Sequence, residues 1–200
     1  SLFNGSQAVT LFSGAFNQWS LSPGGDRSVV ITTKPNSGVH GYSYVINVGS
    51  SALSKLLGPL AGLTVNSARD GARILYGWND KSVWSLSALN VRTGASINVL
   101  PATLPEKCVW AVREEGIIYC SIPRSGVGPG QPEDWYQGIT HYSDRIWVLN
   151  VDTTYASIIA DPKENFAVDI DLEKPFLSPD EDYLFFTNRN DLTLWALKLN

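Results

Sequence analysis

The pattern of apolar and polar positions is clearest in the last stretch of the chain, residues 174–200 (KPFLSPDEDYLFFTNRNDLTLWALKLN). Three short apolar runs are separated by turns made of Ser, Pro, Asp, Glu and Asn; the runs lie at 175–177, 183–187 and 192–199. Short β-prone runs bounded by such turn residues are typical of strands. The stretch therefore predicts an antiparallel meander of three strands.

The same strand–turn–strand pattern occurs three times upstream, in copies that begin at Trp19, Leu63 and Cys108. A third strand follows each copy, with an aromatic residue two places before an aliphatic one; these strands lie at 44–48, 84–90, 147–151 and 195–199. A fourth strand follows in three copies, at 52–57, 95–100 and 155–160. The last copy lacks it, whereas an unmatched strand at 7–12 opens the chain.

This offset predicts a ring, because pairing the first strand with the last copy would remove the exposed sheet edges. We expect a single all-β domain over residues 1–200, a β-propeller of four four-stranded antiparallel blades closed by the N-terminal strand. The expected blades cover approximately 17–60, 61–104, 107–166 with a loop insertion at 123–142, and 170–200 together with 6–12. Repeats of about 40 to 45 residues are usual for such blades.

The motif Leu-Ser-Pro followed by Gly or Asp, then a β run, a short turn and Trp-x-Leu, resembles the WD-like propeller repeats of the TolB type. This resemblance covers essentially the whole chain. The cysteine hairpin and the segment Asp134-Trp135-Tyr136 are similar to propeller domains of uncharacterised bacterial envelope proteins. The resemblance implies a scaffold and leaves the activity open. Closed propellers of this repeat type more often have six or seven blades, so a fragment of a larger ring is the alternative.

Charge and composition exclude some partners. The net charge is −4 and no basic run exceeds two residues, so we expect no nucleic-acid partner and no binding to an anionic membrane. No apolar run approaches the ~20 residues of a transmembrane helix. The chain begins with Ser and contains no Met, which we interpret as a mature or trimmed segment without its targeting signal. We expect a monomeric domain.

The two cysteines, Cys108 and Cys120, flank two apolar runs around a turn at 113–116. A hairpin would place them on opposite strands, and strands about 4.8 Å apart permit a disulfide. Two free buried thiols are the alternative. A bridge would indicate an oxidising compartment, so we expect an extracytoplasmic location: periplasm, cell surface or medium.

Four loops between second and third strands are expected on one face of the ring, at 34–42, 77–81, 123–142 and 188–191. The third is a long insertion rich in Gly and Pro, and such loops are usually functional or disordered. Trp135, Tyr136 and Tyr142 favour order. The insertion either caps the ring or contacts a ligand.

Aromatic rings beside amides and charged groups suit carbohydrate or peptide recognition, since rings stack on apolar surfaces while polar groups fix orientation. The candidate ligand-binding residues on this face are Trp78, Asp80, Asp134, Trp135, Tyr136, His141 and Arg189. Asn and Asp are also common turn residues, so local turn chemistry is the alternative for several of them.

Catalytic and metal-binding motifs are missing: there is no Gly-x-Ser-x-Gly, phosphate loop or His-Glu-x-x-His. Asp169, Asp171 and Glu173 lack the spacing of a calcium loop, and a solvated connection is the expected role. We expect no cofactor and no metal. The favoured function is a non-enzymatic binding or scaffold domain of an exported bacterial protein, with a protein, peptide or glycan ligand. The alternative is a hydrolase or lyase on the same loop face, with His141 and either Asp134 or Asp144 as acid and base.

Overall fold

The computed structural model describes residues 6, 8–16 and 18–199, and within them fourteen strands form three antiparallel sheets. The strands are β1 (Trp19–Pro23), β2 (Ser28–Thr33), β3 (His40–Asn47), β4 (Leu53–Ser67), β5 (Arg73–Asp80), β6 (Val83–Asn90), β7 (Ser96–Asn98), β8 (Cys108–Trp110), β9 (Ile117–Pro123), β10 (Asp144–Asn150), β11 (Tyr155–Ala160), β12 (Leu172–Leu177), β13 (Tyr183–Asn188) and β14 (Thr193–Lys198). Two short helices, α1 (Glu133–Tyr136) and α2 (Pro162–Phe166), and a 3-10 turn (Pro105–Lys107) lie in the connections. No helix of the described residues is long and apolar enough to cross a membrane.

The sheets contain seven, four and three strands. The prediction of four separate sheets with four strands each is therefore wrong. Strand β4 explains the difference, because its first half pairs with β3 and its second half pairs with β5. Ala61 lies where the partner changes, opposite both His40 and Asn79. The chain therefore passes from the outer strand of one repeat to the inner strand of the next without leaving the sheet.

Four repeat units can nevertheless be recognised by strand order. The first unit contains β1, β2, β3 and the first half of β4, and the second contains the second half of β4 with β5, β6 and β7. The third unit is the sheet β8 to β11. The fourth unit is the sheet β12, β13 and β14, and it has three strands.

The predicted closing strand at 6–12 is also wrong, because residues 8–12 form no strand and, among the residues that the structure describes, β14 pairs only with β13. Ser6 lies in a turn, and Gln7 is outside the described residues. The ring of Phe12 lies edge-on to Trp19 at 5.6 Å, and Phe16 contacts the same ring at 5.8 Å. The segment thus packs its aromatic side chains against Trp19 of the first unit instead of extending the fourth.

Alternating apolar positions pack consecutive units face to face. Val30 of the first unit packs with Leu63 and Ile74 of the second. The opposite face of the second unit contributes Leu75 to a cluster with Ile118 of the third unit. The far side of the third unit then packs on the fourth, in a cluster formed by Ile146, Ile170, Leu172, Leu184 and Phe186. The units therefore follow one another around an arc.

The predicted cysteine hairpin is confirmed. Cys108 and Cys120 are directly opposite each other on β8 and β9, and they form a disulfide. Both are buried in the cluster between the second and third units. The bridge therefore lies within the core and joins two strands that are already paired.

Candidate functional site

The inner strands of all four units border a common space, which we call the channel pocket. Ser22 comes from β1, Asn66 from β4, Cys108 from β8 and Pro175 from β12. Two polar contacts join neighbouring inner strands: the Ser22 hydroxyl donates to the carbonyl of Val65 at 3.4 Å, and Asn66 Nδ2 donates to the carbonyl of Cys108 at 2.7 Å. The pocket has a volume of about 450 Å³. Its remaining lining residues are Val65, Glu106, Trp135, Tyr136, Glu173, Lys174 and Arg189.

The insertion at 123–142 folds over one end of the channel pocket and contacts the corresponding loops of the other units. Glu133 accepts a hydrogen bond from the backbone N–H of Ser37, and Asn79 donates to the carbonyl of Gln131. Arg189 donates to the carbonyl of Tyr136 at 3.1 Å. The four loops therefore meet at one end of the molecule, and the insertion caps that end.

A buried ion cluster lies beneath the insertion. Lys107 Nζ is 2.6 Å from Asp144 Oδ2 and 2.6 Å from Asp171 Oδ1, and all three side chains are fully buried. The rings of Trp135 and Tyr142 lie 5.1 and 5.2 Å from the same ammonium group. Two carboxylates and two aromatic faces thus surround a single cation, which compensates for its removal from water.

Trp135 links the insertion to this cluster. Its side chain is 3% exposed, and its indole Nε1 donates to Asp171 at 3.0 Å to Oδ1 and 3.1 Å to Oδ2. The backbone N–H of Tyr142 donates to the same carboxylate at 3.2 Å. Asp171 therefore anchors the middle and the C-terminal end of the insertion to the inner part of the fourth unit.

Burial shifts the pKa values of two groups at this cluster, Asp144 and Tyr142. It raises the pKa of Asp144, although the adjacent Lys107 and the hydroxyl of Ser121, which donates to Asp144 Oδ2 at 2.6 Å, oppose the shift. Burial also raises the pKa of the Tyr142 phenol, and the charges of Asp171 and Asp144 raise it further. The cluster is closed to solvent, so its role in this conformation is to fix the insertion.

The accessible chemistry lies on the wall of the channel pocket. The Tyr136 hydroxyl donates to Glu106 Oε1, and Tyr136 is 36% exposed. Arg189 pairs with Glu173 at 3.3 Å, and its guanidinium lies 4.8 Å from the centre of the Trp135 ring. Lys174 borders the same pocket and is exposed. The pocket thus combines a phenol with two carboxyl groups and two cations.

Burial raises the pKa of the Glu106 carboxyl above its ordinary value of 4.5, although the hydrogen bond from Tyr136 opposes the shift. Burial and the neighbouring Glu106 also raise the pKa of the Tyr136 phenol, so the phenol keeps its proton at neutral pH. Because the Tyr136 phenol stays protonated, Tyr136 and Glu106 offer hydrogen-bonding groups to the pocket and no phenolate nucleophile.

Of the predicted site residues, Trp135, Tyr136 and Arg189 are brought together at the channel pocket. Trp78 and Asp80 lie on the neighbouring β5: the Trp78 ring stacks on Tyr76 at 5.2 Å, and Asp80 is exposed. Neither residue lines the pocket. Asp134 lies on α1, and its backbone carbonyl accepts hydrogen bonds from Ile139 and Thr140.

The predicted acid–base pair is not assembled. His141 is exposed, and within the described part of the chain it has no hydrogen bond or ion pair to Asp134 or Asp144. Asp144 is already paired with Lys107 and fully buried.

The acidic stretch does not form one cluster, because each carboxylate has a different partner. Asp169 pairs with Lys163 at 2.6 Å, Asp171 pairs with Lys107, and Glu173 pairs with Arg189. The described residues contain no group of three or more His, Cys, Asp or Glu side chains placed to hold a metal ion. The expected solvated connection is therefore wrong for Asp171, which is fully buried.

Sequence reasoning missed Glu106 and Lys107. Their partners are far away along the chain: Tyr136 for Glu106, and Asp144 and Asp171 for Lys107. In the sequence, Glu106 and Lys107 stand between Pro105 and the apolar strand β8. Two adjacent charged residues at such a place are typical of an ordinary exposed turn.

Comparison with solved structures identifies the class of fold. A TolB-type protein from Agrobacterium tumefaciens superposes with a TM-score of 0.64 at 10% identity, over 94% of this chain and 61% of its own. TolB from Acinetobacter baumannii gives 0.56 at 10% identity, over 94% of this chain and 45% of its own. Oligogalacturonate lyase, solved with manganese, gives 0.55 at 14% identity, over 87% of this chain and 46% of its own.

The chain therefore has a β-propeller fold of the TolB type, as the repeat motifs predicted. It spans about three fifths of the Agrobacterium protein and less than half of the Acinetobacter one. No protein-family model matches the chain, and no curated protein matches it in sequence.

Proposed function

We propose that this chain is a non-enzymatic binding domain of an exported protein, which recognises a protein, peptide or glycan partner at the channel pocket. The observation that carries this proposal is the convergence of Tyr136, Glu106, Glu173, Lys174 and Arg189 on one space bordered by all four units. An exposed phenol flanked by both signs of charge suits a polar partner that keeps some apolar surface.

The fold favours such a role because the pocket wall is preorganised. Arg189 is held by Glu173 and by the Trp135 ring, and Trp135 is in turn fixed to the buried Asp171. A side chain that is already ordered loses less conformational entropy when a ligand binds. The disulfide Cys108–Cys120 supports export, because such bridges persist in oxidising compartments.

The test begins with peptide and glycan arrays probed with the folded chain, and each ligand found is retested by titration against single variants. We expect Tyr136→Ala and Arg189→Ala each to weaken binding by about tenfold or more, as for residues at the centre of an interface. Tyr155→Ala is the matched control, because Tyr155 is an exposed tyrosine outside the pocket. Ligands that bind both pocket variants as tightly as the unmodified chain would show that the pocket is not the binding site.

The compartment is tested separately by intact mass after alkylation. If both cysteines are alkylated only after reduction in protein purified from its native source, the bridge exists there. Alkylation of both thiols without reductant would contradict the proposal of export.

A further inference from the structure

A second pocket, which we call the inter-unit pocket, lies between the second and third units at the end where the insertion begins. It has a volume of about 360 Å³ and shares no lining residue with the channel pocket. The third strands of the two units, β6 and β10, contribute Trp84 and Trp147. Pro123 comes from the end of β9, and Pro101 and Ala102 come from the connection between β7 and β8.

Two arginine side chains line the inter-unit pocket, and no carboxylate of the described residues lines it. Arg124 directly follows β9, and Arg145 lies on β10. Both guanidinium groups pair with a single carboxylate, that of Asp161 at the start of α2, and Arg145 Nε lies 2.9 Å from Asp161 Oδ2. Glu164 lies 3.4 Å from Arg124, but its side chain is 69% exposed and water screens its charge. The pocket therefore keeps an excess of positive charge.

The polar side-chain groups of this pocket are donors. The two terminal nitrogens of Arg145 have no partner among the described residues, and the side chain is 36% exposed. Arg124 Nε and Trp147 Nε1 are buried without a partner, and they are the only side-chain nitrogens of the described residues in that state. Buried donors are rarely left without a partner. Because guanidinium and indole groups only donate, the pocket lacks an acceptor, and Arg145 is the donor that a ligand can reach.

The rest of the pocket offers carbon surface. The indole Nε1 of Trp84 already donates to the carbonyl of Thr103 at 2.9 Å, so this ring has no further polar group to offer. The prolines Pro101 and Pro123 have no N–H. Aromatic rings favour stacked or edge-on contacts with other flat apolar groups. The hydroxyl groups of a sugar would find no side-chain acceptor here, and leaving them buried without one is costly.

We propose that the inter-unit pocket binds a small organic anion in which a carboxylate is attached to an aromatic group. The carboxylate accepts hydrogen bonds from the terminal nitrogens of Arg145, a pairing that is frequently bidentate. The aromatic group lies against Trp84 and Trp147. The volume is within the range of small-molecule sites. This site is separate from the channel pocket and goes beyond the proposed function.

The probe is 2-naphthoate, and its binding is followed by NMR through the indole N–H signals of the seven tryptophans, assigned with single Trp→Phe variants. We expect the signals of Trp84 and Trp147 to shift, and that of Trp195 in the fourth unit to stay in place. A dissociation constant of about 1 mM or lower is expected for a ligand of this size. Neutral 2-naphthamide, which lacks the charge, and acetate, which lacks the ring, should each bind at least about tenfold more weakly.

Free aromatic acids and peptides that end in an aromatic residue both present this chemistry. The tripeptide Gly-Gly-Phe and its C-terminal amide tell the two sources apart. Binding of the tripeptide acid, but not of its amide, at the same tryptophans identifies a peptide terminus as a ligand. Binding of 2-naphthoate alone identifies a free acid.

Matched variants test the assignment of the site. Arg145→Gln should weaken the binding of 2-naphthoate by about tenfold or more, and Arg145→Lys, which keeps the charge, should bind more tightly than Arg145→Gln. Arg92→Gln is the control, because Arg92 is an exposed arginine outside both pockets. Ala102→Leu fills part of the pocket without changing any charge and should abolish binding. Circular dichroism and thermal unfolding check the fold of each variant.

Any of four results would overturn the proposal. The first is the absence of a saturable shift at up to about 10 mM 2-naphthoate. The second is equal affinity for 2-naphthoate and 2-naphthamide, because the charge would then play no part. The third is unchanged affinity in folded Arg145→Gln, or in Ala102→Leu if Arg145→Gln does not fold. The fourth is a shift centred on Trp135 that is lost in Arg189→Gln, which would place the ligand in the channel pocket.

Discussion

The ammonium group of Lys107 lies 2.6 Å from Asp171 Oδ1, and neither side chain is exposed to solvent. Asp144 approaches the same ammonium group at an equal distance. A lysine in this position cannot extend its side chain to water, so these two carboxylates compensate for the lost hydration of its ammonium group. The cluster joins the turn before β8 to the start of β10 and to the connection before β12, and it thereby ties the third unit to the fourth.

Removing this cation should be among the most damaging single changes. We expect Lys107→Met to lower the free energy of unfolding by about 3 to 5 kcal/mol, because two buried carboxylates lose their partner. Lys163→Met is the matched control: Lys163 lies 2.6 Å from Asp169, but both side chains are about half exposed. Its loss should cost far less, because water screens an exposed ion pair. Urea unfolding measures both, and similar costs for the two variants would contradict a structural role for the buried cluster.

The indole hydrogen bond that holds the insertion can be removed while most of the ring packing is kept. Trp135→Phe should cost about 1.5 to 3 kcal/mol, since the bond is to a charged and buried acceptor. Proteolysis within residues 123–142 should become faster. Trp195→Phe serves as the control, because its indole donates to the hydroxyl of the exposed Thr193. Unchanged stability and proteolysis in Trp135→Phe would show that Asp171 does not anchor the loop.

Glu106 should make stability depend on pH. Its pKa in the folded chain is raised above 4.5, so the folded state favours the protonated form. The corresponding contribution to stability is complete below pH 4.5 and is lost as the pH rises through the folded pKa. Glu106→Gln should remove this part of the pH dependence while still accepting the hydrogen bond from Tyr136. Thermal unfolding between pH 4 and pH 8 checks the prediction, and a parallel pH profile for the variant would refute it.

The disulfide closes a short loop between strands that are already paired. Reduction of Cys108–Cys120 should therefore lower the free energy of unfolding by at most about 3 kcal/mol and leave the hairpin formed. A Cys108→Ala, Cys120→Ala double variant is the control, since its unfolding should not respond to reductant. Complete unfolding on reduction alone would mean that the bridge, and not packing, maintains the third unit.

Local features of the fold could be predicted from the sequence because their causes are local. Turn residues between β-prone runs predicted the hairpins, and the spacing of Cys108 and Cys120 placed them opposite each other. The continuity of β4 was missed because Gly58, Pro59 and Gly62 indicate a break, whereas pairing on both sides of them continues the strand across shifts of register. Phe12 packs on Trp19, and its segment does not pair with β14. Tertiary contacts decide between these two arrangements, so local sequence could not predict the outcome.

The candidate site was predicted less completely for the same reason. The aromatic content of the insertion predicted Trp135 and Tyr136 as candidate binding residues, and both border the channel pocket. Glu106 and Lys107 had no local signal, because their roles arise only when β8, β10 and β12 are brought together. A charged side chain can be buried only where partners distant in sequence compensate for its charge. The pattern of apolar and polar positions along the chain does not reveal those partners.

Strand β4 also bears on how a repeat array of this kind can change over generations. The first and second units share one continuous strand, so neither can be duplicated, exchanged or lost without cutting a hydrogen-bonded ladder at both sides of Ala61. Residues 99–107, between β7 and β8, belong to no strand and contain only a 3-10 turn. Recombination that preserves whole sheets is therefore confined to two connections, the one between β7 and β8 and the one between β11 and β12. The first two units should consequently be inherited together.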